Sequence, residues 1–184
     1  MRRILMVLIA LVCVPPVLAQ MMNERVELMK LNSQARQFVS TWLNQNCGVE
    51  EQQRIEGRIK GLGPVLEPVF WEAYRLGPPE DTIKELQAHF RKQYGERQDH
   101  LKEFGDRLFE KEQIRNLLNI TEEEYVQRET QQYLARYRTA ALSGLGMVGT
   151  QTSELAPIAR DVDNPAQGAA QEAIKAIGER SKIR

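Results

Sequence analysis

Gly144-Leu145-Gly146-Met147-Val148-Gly149 has the glycine spacing of a dinucleotide-binding turn, with Asp161 and Asp163 downstream where a ribose contact would be placed. That chemistry needs a strand before the glycines and a helix after them, so that a pyrophosphate can approach the helix N-terminus. Tyr137 to Ser143 instead reads as helix. The six residues are therefore expected to form a glycine-rich helix end, stopped by Gly146 and Gly149. His89 and His100 are the only two histidines. On one continuous helix they would face similar directions about three turns, or roughly 16 Å, apart, which is too far to share a metal ion. Neither Cys-x-x-Cys nor His-Glu-x-x-His spacing accompanies them. The carboxylates at Glu50-Glu51 and Glu122-Glu123-Glu124 stand at expected helix starts, where they complement the positive end of the helix. Nothing divides them into an acid and a base. Ser143 and Ser153 have no histidine partner that spacing reveals. The expectation is a protein that is not an enzyme and holds no metal or cofactor.

Recognition chemistry is better supplied. The aromatics mostly recur at helical spacing and so belong to helix seams, but Phe70 and Trp71 are adjacent, about 100° apart on a helix, which leaves one of them to point outward. Tyr133 and Tyr137 stand one turn apart beside Arg136. Exposed aromatics and arginine are the residue types that dominate binding hot spots. Trp71, Tyr133, Arg136 and Tyr137 are thus the candidate protein-binding residues.

The elements that must position them are helices. Apolar residues recur three and four apart along nearly the whole chain, with no alternating β-branched run. The fold class is all-α. A first helix is expected from about Asn23 to Asn46, a second from Val49 to Leu62, and a third, opened by Pro64, up to Leu76. Gly77-Pro78-Pro79 then stops the chain. The segment 79–124 is strongly polar, with Leu86, Phe90, Tyr94 and Leu101 set among charges, and Gly95 and Gly105 predict breaks or bends in it. Thr121 and Glu124 form a capping box that opens a long helix to about Leu145. Asn119-Ile120-Thr121 also has the spacing of a glycosylation acceptor, but the cap accounts for Thr121. Two more helices are expected at Ser153 to Val162 and Pro165 to Ile177.

Composition and the N-terminus bound the setting. Met1-Arg2-Arg3, the apolar run Ile4 to Val14, Pro15-Pro16 and then Val17-Leu18-Ala19 have the order of a signal peptide cut after Ala19. The apolar run is short of the roughly 20 residues a membrane-spanning helix needs. A periplasmic or secreted chain without stable membrane insertion is expected, with 20–184 as one α-helical domain. Cys13 follows Leu11-Val12 rather than a small residue, which argues against a lipid anchor, and Cys47 alone survives cleavage, most simply as a buried apolar side chain. The 25 basic and 25 acidic residues become 23 and 25 once Arg2 and Arg3 are removed, a balance that gives no footprint for nucleic acid.

One internal similarity organises the C-terminal quarter. Ala141-Leu142-Ser143-Gly144-Leu145-Gly146 recurs 32 residues later as Ala173-Ile174-Lys175-Ala176-Ile177-Gly178, with Leu155, Ile158, Asp161 and Asp163 between. A weaker copy is Ile59-Lys60-Gly61-Leu62-Gly63. Together with Arg138 and Ala170 these residues resemble HEAT-like helical repeats over residues 134–180, loosely over 53–76, and not over the polar segment 79–124. The resemblance implies antiparallel helix pairs stacked as a short, irregular α-solenoid, and a protein partner bound in a groove between helices, as a scaffold or a chaperone. The other reading of the same helices is a bundle whose core holds a small apolar ligand or cofactor.

Overall fold

A computed structural model describes residues 33–44, 48–108 and 110–183, the side chains of 106–108, 114–117 and 183 excepted. The proposed signal peptide, Cys13, Cys47 and Phe109 lie outside the described residues, as does the first part of the expected opening helix.

The regular structure of the described residues is all helical, with no strand among them. α1 covers 33–44, α2 Val49–Leu62, α3 Glu67–Leu76, α4 Glu80–Leu108, α5 Lys111–Leu118, α6 Glu122–Val148, α7 Leu155–Arg160 and α8 Gln167–Ile183. A short 3-10 turn, Gly63–Leu66, joins α2 to α3 and takes Pro64 in its first turn, so Pro68 rather than Pro64 opens α3. Gly63 and Gly77 end α2 and α3 at φ +62° and +74°, where a side chain would be strained, and each amide N–H returns to a carbonyl of the last turn.

α6 is the axis. It packs most extensively on α3 and α8, and also meets α2, α4 and the 3-10 turn. Two glycines let it do so. A Cβ on Gly144 would overlap the Phe70 ring of α3, and one on Gly146 would come to 3.2 Å from the Ala173 Cα of α8. Positions two apart on a helix differ by about 200°, so α6 presents a flattened surface to each neighbour on opposite sides. Around it lies one apolar core drawn from α1 (Val39, Trp42), the 3-10 turn (Leu66), α3 (Phe70), α7 (Leu155) and α8 (Ile177). The Trp42 Nε1–H donates to the Ala140 carbonyl at 3.2 Å, fixing α1 to α6 across the core.

Three expectations need correction. The glycine-rich segment ends the helix later than expected: α6 runs through Gly144 and Gly146 to Val148 and only Gly149 caps it, because at Gly144 and Gly146 close approach of α3 and α8, not a turn, is what the glycines serve. α4 is not broken at Gly95 or Gly105 but stays helical for 29 residues, supported by α6 and α5 beside it. α7 and α8 are displaced from the expected bounds, since Ser153 lies in a turn before α7 and Pro165 in the turn before α8. The Thr121 capping box is present: the Thr121 hydroxyl accepts from the Glu124 amide at 3.2 Å, and the Glu124 carboxylate accepts from the Thr121 amide at 2.9 Å.

Candidate functional site

Two grooves hold the four candidate residues, and they share no lining residue. The larger, about 680 Å³, runs between α1, α4 and α6. α6 supplies its floor with Tyr133, Arg136 and Tyr137, a one-turn cluster set by helical periodicity. α1 contributes Leu43 and Asn44. α4 forms the opposite wall with Leu86 and Phe90, one turn apart, and with Glu85 and His89 beside them.

The two tyrosines differ. Their ring centroids are 6.1 Å apart. The Tyr133 hydroxyl donates to Asn44 Oδ1 at 2.7 Å, which ties the C-terminal end of α1 to α6. Tyr137 is 7% exposed and belongs to the core, so it is the floor of the groove rather than a projecting aromatic. Burial pushes its phenol up to about 12, helped by the neighbouring Tyr133 and by the Glu72 carboxylate, which disfavour a second negative charge. Burial raises Tyr133 as well, against the opposing charge of Arg136. Both are therefore neutral phenols at ordinary pH. Arg136 is exposed on the groove edge.

Trp71 stands apart, in a groove of about 610 Å³ between the outer face of α3 and the segment that follows α6. Its indole meets Tyr74 edge-on at 6.1 Å and carries the Arg75 guanidinium at 5.0 Å from the ring centroid. Arg75 also pairs with Glu154, and the Glu67 carboxylate accepts from the Thr150 amide and hydroxyl at 3.1 and 2.9 Å. Arg75, Glu67, Thr150 and Glu154 are thus spent on joining α3 to the α6–α7 connection, and Glu72 is held by Arg36 of α1. Phe70, the other half of the adjacent pair, is fully buried, so Trp71 is the one that faces outward.

The α4 wall of the first groove was not legible as part of a site. Leu86 and Phe90 have the i, i+4 spacing of a seam, but in so polar a segment that spacing marks only one dry side of a helix and does not say which neighbour covers it. Among the described residues no cluster of three or more histidine, cysteine, aspartate or glutamate side chains could hold a metal ion, and no helix is long and apolar enough to cross a membrane. Comparison with protein-family models, with curated proteins and with solved structures returned no match for this chain.

Proposed function

We propose that this chain is an exported, non-catalytic helical-repeat protein that binds another protein in the groove between α1, α4 and α6. The observation that carries the reading is the convergence of Tyr133, Arg136 and Tyr137 with Leu86 and Phe90 in one open groove, the aromatic, arginine and aliphatic mixture of a binding hot spot. Export is argued from the signal-like order of residues 1–19. A short irregular α-solenoid is argued from the position of α6 between α3 and α8 and from the paired small residues, Gly146 against Ala173, in the segment that resembles a HEAT-like repeat. The Trp71 groove is the second candidate surface.

The test is capture from the envelope fraction of the native host with the wild-type chain, with Arg136→Glu, and with Lys175→Glu on the exposed side of α8 as a control. A protein retained by the wild type and the control but lost with Arg136→Glu is the expected result. Identical capture by all three would remove the groove from the reading, and a retained small molecule without any protein would replace it with a ligand-holding bundle.

A further inference from the structure

The groove carries polar groups that the fold does not use. The Tyr137 side chain is more than nine-tenths buried, yet its hydroxyl has no hydrogen-bond partner among the described residues. No buried side-chain polar atom is left unpartnered there. The Tyr137 hydroxyl must therefore keep an opening to solvent, and the groove it lines is where that opening lies. One residue earlier on the rim, Arg136 is exposed and, like Arg58, Arg97, Arg138, Arg160 and Arg180, has no ion-pair partner among the described residues, but of these it alone lines the groove. A cation on the rim and a neutral phenol donor on the floor, with Leu43, Leu86 and Phe90 around them, are complementary to a carboxylate carried on an apolar support.

We propose that the groove between α1, α4 and α6 takes an apolar peptide segment of the partner protein and holds one acidic side chain of it between Arg136 and the Tyr137 hydroxyl. This rests on the protein-binding reading above and specifies its partner. A peptide suits the groove better than a small molecule does, because the groove is open along three helices and its walls offer separate polar groups for a backbone. The Asn44 amide and the Thr82 hydroxyl can meet carbonyls, and the Glu85 carboxylate on the far wall can accept amide N–H groups. Two acidic groups bear on the groove, Glu72 through its charge on the Tyr137 phenol and Glu85 as a lining residue. Glu72 is neutralised by Arg36, which holds it with two hydrogen bonds of 2.9 Å, and Glu85 stands on α4, across the groove from Arg136. The raised pKa of Tyr137 keeps its proton in place as a donor at any physiological pH.

The probe is an array of apolar octapeptides in which one central position is Glu, Gln or Lys, exposed to the labelled full chain. The expected result is that Glu peptides retain the wild type at least about tenfold better than their Gln and Lys counterparts. Arg136→Gln, at an exposed position, should abolish that preference, and Tyr137→Phe, which keeps the buried ring, should reduce it. Equal retention of Glu and Gln peptides overturns the proposal, as does a Glu preference that survives Arg136→Gln. Competition by octanoate with no peptide retained overturns it in favour of a small carboxylate ligand. The two readings fail separately: a partner captured through Arg136 together with no Glu preference sinks the acidic anchor and leaves the protein-binding groove standing.

Discussion

Two glycines of similar appearance in the sequence have opposite roles, and substitution separates them. At Gly144 an added methyl has nowhere to go but into the Phe70 ring, and overpacking of this kind costs about 1–3 kcal/mol. Gly57, on the exposed side of α2, has open space around its Cβ position, so Gly57→Ala should stabilise the protein by roughly 0.5–1 kcal/mol through helix propensity alone. Urea midpoints of the two variants are expected to move in opposite directions. Tyr137 makes a prediction at the alkaline end. Its folded pKa of about 12 lies above the ordinary value of 10.0, so the stabilisation is complete below pH 10 and is lost as pH rises from 10 towards 12, because only the unfolded chain can release the proton there. Tyr137→Phe should show a shallower loss of stability across that window, and equal slopes for both proteins would show that the phenol is not held neutral by the fold.

Helix ends and connections decide how the elements hold one another. The Arg180 guanidinium of α8 donates to the Gly146 carbonyl and, at 2.8 Å, to the Gly149 carbonyl, placing a cation on the C-terminal end of α6 where unpaired carbonyls and the negative end of the helix dipole meet it. Arg180→Ala should lower stability by about 1.5–3 kcal/mol in denaturant unfolding, the range for hydrogen bonds from charged donors, and Arg180→Lys should recover only part because a lysine cannot span both oxygens. A variant as stable as the wild type would show the clamp to be incidental. Element types were legible in the sequence wherever a local cause decided them: the capping box at Thr121, the stops at Gly63 and Gly77, the proline break at 78–79. What local reasoning could not supply was why a helix continues through Gly144, Gly146, Gly95 and Gly105. A glycine reads as a breaker unless one knows which helix lies against it, as α3 lies against Gly144 and α8 against Gly146, and that knowledge is tertiary; Gly95 is exposed with open space around its Cβ position, and no packing contact at that position explains the helix there. The same gap hid half of the candidate site: Tyr133, Arg136 and Tyr137 cluster by periodicity on α6, whereas Leu86 and Phe90 join them only through the packing of α4 on α6.

Among the described residues the apolar core takes the half of α6 from Tyr137 onward together with α1, α2, α3, α7 and α8, while Phe90, Leu101 and Val126 are buried outside it, a lesser layer carried by α4 and the first half of α6. Local opening is governed by how much apolar surface each segment buries, so hydrogen exchange should be slowest in 137–148 and faster in α4 and 122–132, although α6 is one continuous helix. Uniform protection along α6 would mean that the smaller layer opens only with the whole. The groove lies at the junction of the two layers, with Tyr137 in the main core and Phe90 in the lesser one. Its width is therefore the quantity that opening of α4 would change.

The place of α6 between α3 and α8 also sets an order of assembly. α8 follows α6 after only the short α7, whereas α3 must find α6 across the whole of α4 and α5, closing a far longer loop. Contacts near in sequence form early and distant ones late, which favours the α6–α8 face as folding nucleus and makes the α6–α3 face, like the still more distant contact of α1 with α6, a later addition. Stopped-flow kinetics of Gly146→Val should then show mainly slower folding, and of Gly144→Ala mainly faster unfolding. Two glycines on opposite sides of one helix would serve as clocks for an early and a later event of the same reaction.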